Sequence, residues 1–145
     1  MTKLISIDPG KCKCGLVLVD LNQKKVDQAI VINTEFLPKC LKTFNSFENI
    51  SKFIIGNGTT SKQNIEKLEF IKEDLIVVEE KNTTFRAKKR YFELFPITGL
   101  KILLPKEIFI MNKNLDALSA LIILEDYCNS KFTLSEDIEI KTWLK

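Results

Sequence analysis

Three apolar, β-rich runs crowd the start of the chain: KLISID over Lys3–Asp8, GLVLVD over Gly15–Asp20 and KVDQAIVI over Lys25–Ile32. Only turn-length segments separate them. Runs joined this tightly pair as an antiparallel meander, because a parallel pair needs a crossover of about a dozen residues or more. The pattern then changes period. Leu41, Phe44 and Phe47 recur every third residue between Pro38 and Asn49, which predicts a helix, and KFIIG over Lys52–Gly56 reads as a short buried strand. Ile65, Leu68 and Ile71 mark a second helix, Leu75–Val78 a further buried strand, and Thr84–Phe95 a third helix stopped before Pro96. Leu100–Leu104 is expected as a short strand or extended linker, and Asn114–Tyr127 as the longest helix.

A meander feeding βαβ crossovers yields an α/β fold: a mixed sheet, three antiparallel strands plus parallel ones, with helices on both faces. With 145 residues the chain is expected to form one domain, residues 1–145, with 129–145 as a C-terminal tail. The acidic middle of that tail (Glu136, Asp137, Glu139) is expected to shield a site or to lead into an added helix at the sheet edge.

Composition excludes several chemistries. There is no histidine, so a Ser-His or Cys-His nucleophile pair, a histidine general base and a His-containing zinc site are all ruled out. Cys12, Cys14, Cys40 and Cys128 have neither zinc-ribbon nor thioredoxin-like spacing. No apolar run reaches the ~20 residues of a membrane span, and no signal-peptide pattern opens the sequence. A cytoplasmic chain with reduced thiols and no membrane partner is expected. A net charge of +3 is too mild to announce a nucleic-acid binder by itself.

Ligands of open α/β sheets sit beyond the carboxyl ends of the parallel strands. That rule directs attention to the segments after Asp8, Gly56 and Val78. Asp8 ends the first run beside Pro9-Gly10, which is also an ordinary turn sequence. Glu79-Glu80 follows the strand Leu75–Val78, and adjacent strand residues point to opposite faces, so only one of the two can serve a given site. Asp116 opens the last helix, where an acid also suits the helix dipole. Together, one acid from each of two neighbouring strands and one from a helix start form a candidate site for a hard cation. Oxygen ligands alone favour Mg²⁺ or Mn²⁺. Two such ions hydrolyse phosphodiesters without a protein nucleophile.

Basic charge is concentrated locally. Seven basic residues and one acid, Glu93, lie between Lys81 and Lys106, and the only two arginines, Arg86 and Arg90, stand at i, i+4 on one helix face. Such a face is either simply solvated or a grip on nucleic-acid phosphates. Lys13 lies close to Asp8 in sequence, and Gly56-Asn57-Gly58-Thr59-Thr60 is a turn with Thr59 or Thr60 as candidate helix cap. Tyr91 and Phe92 interleave with the basic residues; they are expected in the core on the opposite face, with stacking on an unpaired base as the alternative.

Four blocks in order, ISIDPGKCKCGLVLVD, IIGNGTTSK, VVEEKNTTFRAKKRYFELFP and NLDALSALIILEDY, resemble the YqgF family, with RuvC resolvases as more distant relatives. Both belong to the ribonuclease H-like superfamily. The likeness spans roughly residues 3–128. It implies an acidic catalytic triad of Asp8, Glu80 and Asp116 holding one or two Mg or Mn ions, with Glu80 rather than Glu79 as the second acid. It further implies a nuclease acting on the precursor of small-subunit (16S) ribosomal RNA. Lys13, Lys81, Thr84, Arg86 and Arg90 would contact phosphates of a structured RNA, more so than of DNA, with ribosomal precursor particles as partners and a monomer or homodimer as the unit. Two departures stand out. Lys81 replaces the family's usual arginine, which motivates a non-cleaving, RNA-binding assembly factor as the alternative. Ser119 stands where RuvC resolvases carry a fourth carboxylate, which favours the YqgF branch over a junction resolvase.

Overall fold

The computed structural model describes residues 2–138. Strands β1 (Lys3–Asp8), β2 (Lys13–Asp20) and β3 (Lys25–Asn33) form the expected meander. Helix α1 (Leu37–Phe47) then carries the chain to β4 (Ile50–Gly56), which pairs parallel to β1. Helix α2 (Ser61–Glu66) and a 3-10 stretch over Glu69–Asp74 lead to β5 (Leu75–Val78), parallel to β4. After α3 (Thr83–Leu94), the short α4 (Glu107–Ile110) and α5 (Asp116–Cys128), the two-residue β6 (Thr133–Leu134) pairs parallel to β3. The sheet order is β5-β4-β1-β2-β3-β6, and β2 alone runs against its neighbours. The mixed α/β sheet expected from the sequence is present, and β1 belongs both to the antiparallel meander and to the parallel crossovers.

Alternation along the strands divides the core in two. Ile5, Ile7, Leu16, Leu18, Phe53 and Ile55 face α1 and the 3-10 stretch, meeting Leu37, Leu41, Leu68 and Ile71. Leu4, Val17, Val19 and Ile54 face the other way, onto α5 and α3. α5 is buried continuously from Ala117 to Glu125. A helix apolar all round belongs in an interior, and α5 lies over β1 and β2 with α3 along its other side. Among the described residues no helix is long and apolar enough to cross a membrane. The four cysteines are free thiols.

Two expectations need correction. Leu100–Leu104 is neither strand nor extended linker: Gly99–Leu103 forms an exposed 3-10 stretch, opened by Gly99 at φ 67° and closed off ahead of Pro105. After Asn129, Thr133–Leu134 adds a short strand to the β3 edge; the rest of the expected tail, residues 139–145, lies outside the described residues. The second helix also ends sooner than its apolar spacing suggests, passing to 3-10 geometry at Glu69.

Candidate metal centre and phosphate-binding surface

The parallel strands β1, β4 and β5 end on one edge of the sheet, and the three acids gather there. Asp8 ends β1 directly opposite Gly15 of β2. A Cβ on Gly15 would overlap the backbone carbonyl of Asp116. The missing side chain therefore lets the first turn of α5 settle onto the hairpin, which sets Asp116 beside Asp8. Asn114 Oδ1 accepts a hydrogen bond from the Asp116 N–H (2.8 Å), fixing that turn. Beyond Asp8, Thr60 Oγ1 donates to the Pro9 carbonyl (3.3 Å) and Thr34 Oγ1 to the Gly10 carbonyl (2.9 Å). Thr60 stands at the N-cap position of α2, yet its hydroxyl ties two loops together instead of capping the helix.

Glu80 reaches the same edge over a second glycine. Gly56, the last residue of β4, pairs with Val78 of β5, and a Cβ there would occupy the space of the Glu80 carboxylate. Gly58 also lies under it, with Oε1 3.6 Å from where its Cβ would stand. Glu79 points the other way, exposed, with its carboxylate 3.8 Å from Lys81 Nζ. Strand parity thus separates the two adjacent acids as expected.

The electrostatics are those of charge left without compensation. Asp8 has its pKa raised to about 7, first by burial and then by the negative charges of Glu80 and Asp116. Burial also raises Glu80. Glu80 Oε1 is buried and has no hydrogen-bond partner. Among the described residues no lysine or arginine forms an ion pair with any of the three acids. A buried orphaned carboxylate oxygen, cradled over two glycines and within electrostatic reach of Asp8, which in turn feels Asp116, fits a hard divalent cation. The three do not stand as a ready-made cage; no such close cluster occurs among the described residues.

The expected phosphate contacts divide into two groups. Lys13, Lys81 and Thr84 are exposed and flank the acidic edge, at the start of β2, after β5 and in the first turn of α3. Arg86 and Arg90 do share a face, but that face looks toward the far end of α5. Arg86 makes a bidentate pair with Asp126, both N···O distances being 2.6 Å. Arg90 is 7% exposed, and bonds Glu125 (2.8 Å), Glu93 (3.1 Å) and the Phe132 carbonyl (2.7 Å). Arg90 is therefore corrected from phosphate contact to internal counter-ion, since a buried guanidinium with all its directions taken cannot meet a ligand. Arg86 keeps partial exposure, but its fork is already matched to a carboxylate. The partners Glu125 and Asp126 went unrecognised in sequence, although two acids at the end of an apolar helix were a visible signal. Tyr91 is buried as expected, while Phe92 is only partly so.

No protein-family model matches this chain, and no curated protein matches it. Among solved structures it is similar to T. thermophilus RuvC in complex with Holliday junction substrate, at 11% identity and a TM-score of 0.49, over 89% of this chain and 96% of that one. It is also similar to the Aquifex aeolicus Ppx/GppA phosphatase, at 13% identity and a TM-score of 0.39, over 66% of this chain and 42% of that one.

Proposed function

We propose that the chain is a metal-dependent endonuclease whose site is Asp8, Glu80 and Asp116. The observation that carries this reading is the gathering of three carboxylates without a counter-ion on the sheet edge where the parallel strands end, with Glu80 Oε1 buried and unbonded. Such an arrangement opposes folding unless something positive completes it. The three acids would hold one or two Mg or Mn ions, which supply a hydroxide from water near neutral pH and stabilise a leaving oxygen. Without metal the Asp8 carboxyl is raised to about 7, so an ion bound there would displace its proton and metal binding would strengthen as pH rises through neutrality. The chain needs no histidine for this chemistry. Lys13 and Lys81 would neutralise the backbone on either side of the scissile phosphate, and the Thr84 hydroxyl would hydrogen-bond to it.

The resemblance to the YqgF family supports a structured RNA, the precursor of 16S ribosomal RNA, as substrate, met in the cytoplasm within ribosomal precursor particles. A second reading, an RNA-binding assembly factor without turnover, is favoured by the absence of a ready-made cage and by Lys81. One experiment separates them: cleavage of a labelled structured RNA and a matching DNA in Mg²⁺ or Mn²⁺. The nuclease reading expects cutting that EDTA abolishes and that Asp8→Asn lowers at least ~100-fold. RNA binding without cutting in either metal selects the assembly factor, and undiminished cutting by the variant removes Asp8 from the site.

A further inference from the structure

α3 has a second edge, on the other side from its arginines, exposed at Phe85 and Lys88 and half-buried where Phe92 and Phe95 lean on the core. Phe85, Lys88, Phe92 and Phe95 follow one another at i, i+3, i+7 and i+10, so they line one side of the helix. Phe85 lies in the first turn, next to Thr84 and five residues after Glu80, and is 74% exposed. An exposed phenylalanine at that position leaves its ring unpacked against the fold. Further along, Lys106 Nζ stands 5.6 Å from the centre of the Phe92 ring. The edge then runs into a cleft of about 210 Å³ walled by Tyr91, Phe92, Phe95 and Phe109, with Lys101 at its side. Lys88 and Lys101 have no ion-pair partner among the described residues.

Aromatic rings interleaved with lysines match one class of ligand. Bases of an unpaired strand stack on rings whatever their sequence, and lysines follow the backbone. A paired duplex offers no free base faces. A second copy of this chain would bring lysine against lysine across the same patch. We infer that the Phe85–Lys88–Phe92 edge of α3 is a track for single-stranded nucleic acid, leading from the acidic site to the Phe92–Phe109 cleft. It rests on the nuclease reading and adds a substrate class to it: the bond cut lies next to unpaired nucleotides. α3 is about 18 Å long, enough to carry several nucleotides.

The test measures binding in EDTA, where no cleavage occurs, so it stands apart from turnover. The probes are a fluorescein-labelled single-stranded RNA with an internal 2-aminopurine and the same RNA in a duplex. Wild type is expected to bind the single strand more tightly and to quench 2-aminopurine. Phe85→Ala is expected to weaken single-strand binding about 10-fold and lose the quenching, leaving the duplex unaffected. Phe85→Trp should restore both, and Lys88→Ala should lower the salt dependence of binding by somewhat less than one ion. Equal binding of Phe85→Ala and wild type to the single strand overturns the track, as does an equal loss for strand and duplex. A Phe85-dependent dimer in sedimentation, with no change in RNA binding, assigns the surface to self-association and also overturns it. Wild-type cleavage in Mn²⁺, run alongside, reports on the nuclease reading separately.

Discussion

The two ends of α5 hold the same chemical groups in opposite circumstances. At its start, Asp116 and Glu80 both act on Asp8, none of the three is in an ion pair among the described residues, and Asp8 is driven up to about 7. At its end, Glu125 and Asp126 meet Arg90 and Arg86, and neighbouring Glu93 meets Lys131 (2.8 Å). There the Arg86 hydrogen bond lowers Asp126, and the Lys131 hydrogen bond lowers Glu93. One end is finished by the protein itself, and the other, on the proposed function, is finished by a cation. Acidic residues are common on any surface; what distinguishes a site is the compensation that is withheld.

Breaking the completed end should cost the most. Arg90→Met leaves Glu125 buried and unpaired, bonded only to the Phe132 N–H (3.0 Å). The expected loss is about 3–5 kcal/mol, read by urea denaturation. A loss below ~1 kcal/mol would show that Glu125 escapes to water or takes up a proton.

The opposite change at the open end should stabilise. Asp8 holds its proton more tightly folded than unfolded, so folding takes up a proton between the ordinary value of 3.8 and about 7. Metal-free stability therefore falls as pH rises through that window. Asp8→Asn should remove the fall and gain on the order of 1–4 kcal/mol at pH 8, with no gain below pH ~4. Denaturation in EDTA at several pH values checks this, and a variant less stable than wild type at pH 8 would contradict it. The completed end has the reverse sign. Glu93 and Asp126 are lowered, so their contribution is present above their ordinary values, 4.5 and 3.8, and is lost as pH falls through the lowered ones.

The smallest effect is expected from the exposed pair. A double-mutant cycle on Arg86 and Asp126 should give about 1 kcal/mol or less, shrinking with salt. A larger, salt-independent value would mean that the bidentate geometry is held more rigidly than its exposure suggests.

The meander and the strands after it were legible because their signals are local: alternation, turn residues and short apolar runs. The choice between Glu79 and Glu80 was half legible, since parity says that one faces inward but not which. The arginines show where local reading stops. Their i, i+4 spacing correctly places them on one face, but whether that face meets a phosphate or Glu125 depends on a helix thirty-odd residues away. In the sequence Gly15 only opens the second run and Gly56 only leads from a strand into a turn, and their use as seats for the Asp116 backbone and the Glu80 carboxylate shows only in the tertiary structure. The 3-10 stretch at Gly99–Leu103 was hidden for the reverse reason. Its apolar residues face solvent, so hydrophobicity there carries no burial signal.

The seating of α5 on Gly15 also has a kinetic side. Asp8 and Glu80 belong to parts of the chain that can assemble through local hairpins and crossovers, whereas Asp116 arrives only when a helix from the other end of the sequence docks on the first hairpin. Docking over such a separation is a late, slow event. During synthesis, when earlier segments fold as they emerge, the growing polypeptide carries two acids of the three until its final long helix has left the ribosome. Completion of the fold and gathering of the three acids proposed to hold the metal are one step.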